Sequence, residues 1–270
     1  MGVLHFTKMH GAGNDFVMVA ARDLPAARSL AADRIAALCN RRTGIGADGL
    51  IIVGPAAAAD VRMDYFNADG GGAAMCGNGA RCTIAFAHQL GLVGETGTLA
   101  TASGDLAFRV HGPSDIEVDL PAPRDLTLNI ALAGSPYAEH HACNTGVPHL
   151  VIPVADVEAV DVAVAGPLLR WHPHFAPLGT NVDWISKSDR EGVWRLRTFE
   201  RGVEAETLAC GTGAAAAAAV LVSLAQAASP VAIQTSSGDH LRLSVDPGVS
   251  RLALRGPAVM VFAGEVAEHE

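Results

Sequence analysis

Two cysteines of this chain stand at the start of the same kind of turn. Cys76 opens the sequence Cys-Gly-Asn-Gly and Cys210 opens Cys-Gly-Thr-Gly, and each turn leads into an apolar, alanine-containing stretch. Such a stretch predicts a helix, so each thiol lies at a helix N-terminus, where unpaired N–H groups and the helix dipole favour an anion. That position is expected to lower the pKa of a thiol. Two such thiols facing one carbon atom would form a two-base proton-transfer site.

The glycines of both turns leave backbone N–H groups that can hold a carboxylate beside the sulfur. The other cysteines, Cys39, Cys82 and Cys143, lack this spacing and are interpreted as small buried hydrophobic residues. Five scattered cysteines indicate a reducing compartment rather than a disulfide framework. No group of Cys and His residues has the spacing of zinc ligands, so no metal is expected.

Polar candidates occur near the second turn. Glu200 and Arg201 follow an apolar run and stand about ten residues before Cys210. A glutamate near a thiol can act as a base or shift its pKa, and an arginine can bind a carboxylate through two parallel hydrogen bonds. A solvated corner is the alternative interpretation. His149 follows a Gly-Val-Pro turn and precedes an apolar strand, which makes it a candidate functional histidine. A surface or core histidine without a catalytic role is the alternative interpretation.

The composition is that of a globular protein with a sizeable core: 270 residues, half of them hydrophobic and 17% charged. A formal net charge of −9 argues against a nucleic-acid partner. The N-terminal sequence has no signal-peptide pattern, and the apolar run Ala214–Leu224 is too short to span a bilayer. A cytoplasmic protein that acts on small molecules is expected.

Short β-like runs bounded by Gly, Asp, Asn or Pro recur through the chain. Helical spacing occurs at Ala26–Asn40, Cys76–Leu90 and Cys210–Leu224. The predicted strands are Val3–Met9, Phe16–Ala20, Leu50–Val53, Val61–Phe66, Thr98–Ala102, Leu106–Val110, Ile116–Leu120, His149–Pro153, Val182–Ile185, Val193–Phe199, Val231–Gln234, Leu241–Val245, Leu252–Leu254 and Val259–Phe262.

The two helices that follow the Cys-Gly turns are apolar on nearly every face, which predicts that they are buried on nearly every face. We therefore expect an α/β (α+β) protein of two pseudo-symmetric domains, each a mostly antiparallel sheet curled around a central helix, with a cleft between them. The break at Pro121-Ala122-Pro123 separates residues 1–121, joined by a returning strand at 257–270, from residues 122–256.

Taken together, the sequence motifs resemble the diaminopimelate epimerase family. Single motifs also resemble those of proline racemases and phenazine-type isomerases, whereas the full ordered set is much more specific. The matching segments are Lys8–Phe16, Gly44–Gly49, Phe66–Gly70, Met75–Cys82, Gly146–His149, Gly179–Asn181, Glu200–Gly202 and Glu206–Gly213.

The resemblance implies an isomerase that interconverts L,L- and meso-2,6-diaminopimelate in lysine and peptidoglycan-precursor biosynthesis, without pyridoxal phosphate or metal. It implies that Cys76 and Cys210 are the two bases, one as thiolate and one as thiol, and that His149 and Glu200 tune them. Arg201 is the expected partner of the distal carboxylate. The family's substrate contacts correspond to Asn14, Asn67, Gly77, Asn78, Asn181, Glu200, Arg201, Gly211 and Thr212.

Three positions depart from the commonest family pattern. Gly49 stands where many members have glutamine, and Val147 where many have asparagine. The segment around Phe262 resembles a dimerising region in which some members have tyrosine, so a homodimer is expected.

Three other functions compete with this hypothesis. The nearest is a racemase or epimerase of the same fold that acts on another amino acid. A thiol–disulfide redox protein that uses Cys76 and Cys210 is disfavoured, since the chain has no Cys-x-x-Cys motif. An inactive binding module would not need both cysteines and both glycine turns.

Overall fold

The computed structural model describes residues 3–24, 30–73 and 75–267. The chain divides into two compact units. Residues 1–118 and 256–270 form the N-terminal unit, which contains Cys76, and residues 119–255 form the C-terminal unit, which contains Cys210. Within the described residues, no helix is long and apolar enough to cross a membrane.

The elements follow one another along the chain with short connections. They are β1 (Val3–Gly11), β2 (Asn14–Ala20), α1 (Ala32–Cys39), β3 (Gly49–Gly54), β4 (Val61–Asn67), β5 (Gly72–Ala73), α2 (Gly77–Gln89), β6 (Thr96–Thr101), β7 (Gly104–Gly112), β8 (Asp115–Leu120), β9 (Arg124–Thr127), β10 (His141–Asn144), β11 (Pro148–Pro153), α3 (Val162–Arg170), β12 (Asn181–Lys187), β13 (Val193–Glu200), β14 (Ala205–Thr207), α4 (Gly211–Ser223), β15 (Val231–Gln234), β16 (His240–Val245), β17 (Leu252–Pro257) and β18 (Val259–Ala267).

The strands of the N-terminal unit surround helix α2. Strand β1 pairs antiparallel with β2 and with β18, so the last strand of the chain returns to the first. The pairs β3–β4, β6–β7 and β7–β8 are antiparallel, whereas β2–β3 and β4–β6 are parallel. Helix α2 packs against β1, β2, β3, β4 and β7, and its residues from Gly77 to Ala87 are all buried.

The C-terminal unit repeats this plan around helix α4. Its antiparallel pairs include β10–β11, β12–β13, β15–β16 and β16–β17, and its parallel pairs are β11–β12 and β13–β15. Helix α4 packs against β10, β11, β12 and β16, and the side chains from Ala214 to Leu221 are inaccessible to solvent. The predicted fold class, a sheet-dominated α+β protein with a buried central helix in each half, is confirmed.

Some predicted elements were wrong or were missed. Helix α1 begins at Ala32 rather than residue 26, because Ala31 has extended backbone angles of φ −67° and ψ 151°. Residues 26–29 of that prediction, like residues 1 and 2 of the N-terminal sequence, lie outside the described residues. Helix α3 was missed because Gly166 and Pro167 interrupt its pattern. A Cβ atom at Gly166 would lie 2.3 Å from the ring of Phe199, so close packing requires that glycine.

Candidate active site

The first cysteine turn begins helix α2. Cys76 is the N-cap residue, with φ −141° and ψ 120°, and its carbonyl oxygen accepts the first helical hydrogen bond from Ala80 N–H at 2.8 Å. The side chain is half-buried. The Sγ atom of Cys76 donates to Oδ1 of Asn14 at 3.4 Å. The thiol proton therefore has an acceptor, and that acceptor is an amide oxygen.

The amide of Asn14 is held in one orientation. Its Nδ2 atom donates to Asp48 Oδ2 at 2.6 Å, which turns its Oδ1 atom toward Cys76 and toward Nδ2 of Asn78 at 3.4 Å. Asp48 is held in turn by Arg41, whose guanidinium donates to Asp48 Oδ1 at 2.7 Å. The structure thus brings three predicted site residues together in the N-terminal unit.

A buried arginine supports this turn. Arg81 is fully buried on α2 and donates to Asn78 Oδ1 at 2.9 Å, to Gly77 O at 3.1 Å and to Pro257 O at 3.2 Å. A buried guanidinium requires acceptors for its donors, and these bonds supply them. Arg81 therefore links the side chain of Asn78, at the N-terminus of α2, to the backbone of the same unit at Pro257.

The second cysteine turn begins helix α4 and differs in the role of the sulfur. Cys210 is the N-cap residue and is buried, and its Sγ atom accepts a hydrogen bond from Gly213 N–H at 3.4 Å. The Oγ1 atom of Thr212 lies 3.4 Å from the same sulfur. The Cys210 sulfur satisfies one of the N–H groups that a helix N-terminus leaves unpaired.

His149 and Asp183 lie behind Thr212. The Nε2 atom of His149 is 3.0 Å from Thr212 Oγ1, and its Nδ1 atom is 2.7 Å from Asp183 Oδ2. The other carboxylate oxygen, Asp183 Oδ1, accepts from Thr198 Oγ1 at 2.7 Å. The side chains of His149 and Asp183 are inaccessible to solvent. The buried polar atoms therefore form a continuous chain of contacts that ends at Cys210.

The expected lowering of the thiol pKa at a helix N-terminus was wrong for Cys210. Burial raises the pKa of this thiol well above its ordinary value, and the negative charges of Glu200 and Asp183 raise it further. Hydrogen bonds from Thr212 and from Gly213 N–H act in the opposite direction. Burial and the two nearby carboxylates therefore outweigh the favourable position of the thiol at the helix N-terminus.

Asn181 orders the loop that carries Glu200 and Arg201. Its Oδ1 atom accepts from Arg201 N–H at 2.7 Å, and its Nδ2 atom donates to Pro148 O at 3.0 Å. Glu200 ends strand β13 and acts electrostatically on Cys210. Arg201 is half-buried, and among residues 3–24, 30–73 and 75–267 no carboxylate forms an ion pair with its guanidinium.

The remaining predicted residues lie in turns or at element ends. Gly77 and Gly211 are the first residues of α2 and α4. Asn67 is the exposed last residue of β4, opposite Gly49 in the strand pairing. A Cβ atom at Gly49 would lie 2.4 Å from Phe66 O, so a glutamine there would need these strands to shift. Val147 lies in the turn between β10 and β11.

The sequence interpretation missed Asp48, Arg81 and Asp183 as residues that hold the site. Asp183 offered one signal, because it is the only charged residue of the predicted strand Val182–Ile185. An isolated acid in an apolar strand must find partners when it is buried. Asp48 and Arg81 offered no such signal, since their partners come from other segments of the chain.

The other cysteines are buried, as their interpretation predicted. Burial raises the pKa of Cys39 to about 11, and that of Cys82 and of Cys143 to about 12. A thiol with so high a pKa is protonated near neutral pH and is a poor nucleophile or base.

Comparison with known proteins places the whole chain in one family. The model of the diaminopimelate epimerase family matches residues 6–124 and 141–261. The chain belongs to the diaminopimelate epimerase family. It is 42% identical to a diaminopimelate epimerase of Gemmatimonas aurantiaca, an alignment that covers 98% of this chain and 99% of the relative. It is 37% identical to that of Aquifex aeolicus, with 98% of each covered.

Solved structures share the fold at low sequence identity. A phenazine biosynthesis protein of the PhzF family from Bacillus anthracis matches with a TM-score of 0.75 and 18% identity, covering 99% of this chain and 100% of that one. A probable proline racemase from Agrobacterium radiobacter matches with a TM-score of 0.69 and 15% identity, covering 98% and 93%. These matches agree with a sheet-dominated α+β fold built twice around a central helix.

Proposed function

We propose that this protein is an isomerase that interconverts L,L-2,6-diaminopimelate and meso-2,6-diaminopimelate. Membership of the diaminopimelate epimerase family supports this substrate. The observation that carries the chemistry is that a cysteine caps each central helix and that the two sulfurs differ in their hydrogen bonds. Cys76 donates to an amide oxygen, whereas Cys210 accepts from a backbone N–H group.

The proposed reaction is general acid–base catalysis by the two thiols. A thiolate removes the α-proton, which forms an S–H bond, and the electron pair of the C–H bond passes into the carboxylate as an enediolate. The second cysteine, as a thiol, then gives its proton to the opposite face of the carbon. The roles of Cys76 and Cys210 exchange in the reverse direction, as general acid–base catalysis requires.

The weak acidity of the α-carbon is the main chemical difficulty. As the α-carboxylate gains enediolate character, hydrogen-bond donors that are already in place stabilise the added charge. The glycine turns at Gly77 and Gly211 present backbone N–H groups at the N-termini of α2 and α4, where anions are favoured. We propose that these groups, with Asn78 and Thr212, bind the reacting end of the substrate.

The distal end of the substrate carries a second carboxylate and a second ammonium group. Arg201 is the proposed partner of that carboxylate, because its guanidinium can bind an anion and its backbone is fixed by Asn181. Asn14, Asn67 and Asn181 are the proposed amide contacts, and Glu200 and His149 are the proposed groups that tune the thiols. No step of this scheme needs pyridoxal phosphate or a metal.

The product is proposed to enter lysine and peptidoglycan-precursor biosynthesis in the cytoplasm, and the protein is proposed to be a homodimer. The exposed apolar residues Met260, Val261 and Phe262 on β18 support a dimer surface, since exposed apolar patches often mark protein contacts. Phe262 also packs edge-on against Phe6, with ring centroids 5.9 Å apart. Sedimentation velocity that gives only the monomer mass at micromolar concentration would contradict the dimer.

Proton exchange tests the proposed activity. Wild-type protein in D₂O with reductant should incorporate deuterium at the α-carbon of L,L-diaminopimelate and form the meso isomer. Cys76→Ala and Cys210→Ala should each lower the rate by about a thousandfold or more, since each removes an acid–base group. Cys39→Ala, which changes a buried thiol outside the site, should keep most of the activity.

The exchange experiment has two outcomes that contradict the proposal. No exchange by reduced wild-type protein would exclude diaminopimelate as the substrate and direct attention to other amino acids. Equal losses in all three cysteine variants would show that general destabilisation, rather than loss of two specific bases, explains the result.

A further inference from the structure

We propose that Asp183 is a positioning residue that holds His149 as the proton acceptor for Cys210, with the hydroxyl group of Thr212 between them. This proposal rests on the proposed function of Cys210 as an acid–base group. It adds Asp183 to the site, gives the hydroxyl of Thr212 a role in proton transfer, and assigns His149 to one of the two cysteines.

The geometry supports a single direction of hydrogen bonding. Both oxygens of Asp183 are engaged: Oδ1 accepts from Thr198 Oγ1 at 2.7 Å, and Oδ2 lies 2.7 Å from Nδ1 of His149. An ionised carboxylate can only accept, so the imidazole carries its proton on Nδ1 and presents a lone pair at Nε2. That lone pair faces the Thr212 hydroxyl at 3.0 Å.

The hydroxyl group of Thr212 then connects the imidazole to the thiol. Because Thr212 donates its hydrogen to His149 Nε2, its oxygen accepts from the Cys210 sulfur, 3.4 Å away. Ionisation breaks the S–H bond of Cys210 and forms an O–H bond on Thr212. The original O–H bond of Thr212 breaks and an N–H bond forms on His149. The result is a thiolate and an imidazolium, and the carboxylate of Asp183 stabilises the imidazolium.

The surroundings of Cys210 make such an acceptor useful. Glu200 on β13 and Asp183 on β12 place negative charge near the thiol. His149 on β11 is the proposed base, and Cys143 on β10 lies opposite His149 in the strand pairing. The buried carboxylate is tightly enclosed, because a Cβ atom at Gly213 would lie 2.3 Å from Asp183 Oδ1. The glycine therefore lets Asp183 pack against the first turn of α4.

The test measures the ionisation of Cys210 in ligand-free protein. The ultraviolet absorbance of the thiolate is followed against pH, and the signal of Cys210 is isolated by subtracting that of a Cys210→Ser variant. Asp183→Asn should move this ionisation to higher pH and lower the thiolate fraction near neutral pH at least tenfold. It should also lower kcat about a hundredfold with little change in KM, as expected for loss of acid–base assistance.

A shift of the Cys210 ionisation to lower pH in Asp183→Asn would overturn the proposal. If Asp183 acted only as a buried negative charge, its removal would ease ionisation and move it to lower pH. The matched control is Glu139→Gln, which changes another histidine–carboxylate pair of the same unit, 3.0 Å from His141 Nε2. This control should leave both the ionisation and kcat unchanged, with folding of every variant checked by circular dichroism and thermal melting.

A second pair of variants keeps the proposal testable if Asp183→Asn does not fold. Thr212→Val removes the hydroxyl and should reproduce the shift to higher pH, whereas Thr212→Ser keeps it and should behave like wild type. In wild-type protein, nitrogen NMR should show His149 protonated on Nδ1, and protonation on Nε2 alone would overturn the proposal. These measurements need no substrate, so they separate this proposal from the proposed function. If the variants shift the ionisation of Cys210 as expected but the wild-type protein does not exchange the α-proton of diaminopimelate, only the proposed function is contradicted.

Discussion

The two cysteine turns have the same backbone plan but opposite supporting charges. In the N-terminal unit, the fifth residue after Cys76 is Arg81, whose buried guanidinium holds Asn78. In the C-terminal unit, the fifth residue after Cys210 is Ala215. There the supporting group is the carboxylate of Asp183, which reaches the turn through a histidine.

The Cys-Gly turn is therefore repeated in the two units without the same supporting chemistry. The amide oxygen of Asn14, which accepts from Cys76, cannot take up a proton near neutral pH. The imidazole of His149, one hydroxyl away from Cys210, can do so. The proposed two-base mechanism requires one thiol and one thiolate at any moment, and the two sulfurs have unequal surroundings in which to meet that requirement.

The largest expected effect comes from removing the buried positive charge. Arg81→Met loses the hydrogen bonds of the guanidinium to Asn78, Gly77 and Pro257. Because a buried acceptor that loses its donor costs about 1–3 kcal/mol, the free energy of unfolding should fall by roughly 3 kcal/mol or more. Urea denaturation measures this change.

Arg62→Met is the matched control for Arg81→Met. Arg62 forms an ion pair with Asp64 at 3.0 Å, and its side chain is 49% exposed. An exposed ion pair contributes less than about 1 kcal/mol, so this variant should unfold near the wild-type midpoint. Equal losses in the two variants would show that the support of the Cys76 turn does not depend on Arg81.

Alanine substitution at the second glycine of each turn should have an effect of intermediate size, and the loss of stability should differ between the two turns. At Gly213 a Cβ atom would lie 2.3 Å from the fixed carboxylate of Asp183, whereas at Gly79 it would meet the end of the Ile51 side chain at 2.9 Å. Gly213→Ala should therefore cost about 1–3 kcal/mol of stability, since overpacking a rigid site is destabilising. It should also lower kcat, as displacement of Asp183 would.

Gly79→Ala should be much milder, because the tip of an isoleucine can move and alanine favours a helix by about 1 kcal/mol over glycine. Urea midpoints and kcat for the two variants give the comparison. Equal destabilisation by the two alanines would mean that Asp183 moves as readily as Ile51, and the rigid packing inferred for the C-terminal unit would be wrong.

The smallest expected effect is a pH dependence of stability that comes from Asp15 in the N-terminal unit. Burial would raise the pKa of Asp15, but hydrogen bonds and charges from Arg41 and Lys8 outweigh it and hold this pKa well below its usual range. A lowered pKa in the folded state gives stability that is present above about pH 4 and is lost as the pH falls further. The urea concentration at the unfolding midpoint of the wild-type protein should therefore decrease as the pH is lowered through this range.

Asp15→Asn should be less stable than wild type at neutral pH but should lose less on acidification. Midpoints measured between neutral pH and about pH 3 check this, since the variant lacks the carboxyl group that titrates. If wild type and variant fall in parallel, then the ion pairs of Asp15 with Lys8 and Arg41 contribute no pH-dependent stability.

Local sequence patterns predicted the helices and strands that carry the cysteines because these elements have strong signals. The Cys-Gly turns fixed the starts of α2 and α4, and the apolar runs after them predicted burial on all sides. Helix α3 escaped prediction because Gly166 and Pro167 interrupt its pattern, and the glycine has a tertiary cause, the close approach of Phe199. Short strands such as β5 and β14 carry too few residues to show a period.

The sequence indicated candidate residues for the site but not the charged groups that surround them. Sequence spacing indicated both cysteines, and the family resemblance supplied His149 and Glu200. The partners of those residues come from distant segments: Asp48 reaches Asn14 across 34 positions, and Asp183 reaches His149 across 34. The raised pKa of Cys210 also depends on burial, which a local motif does not report.

The six consecutive alanines of α4 have a consequence for conformational entropy. The side chains from Ala214 to Ala219 are fully buried, and a methyl group has no rotamers to lose on folding. Six leucines in their place would lose roughly 3–6 kcal/mol of side-chain entropy at ordinary temperature. This run of α4 is therefore ordered mainly through its backbone, and Cys210 stands at the N-terminus of a helix whose alanines have no side-chain rotamers to lose.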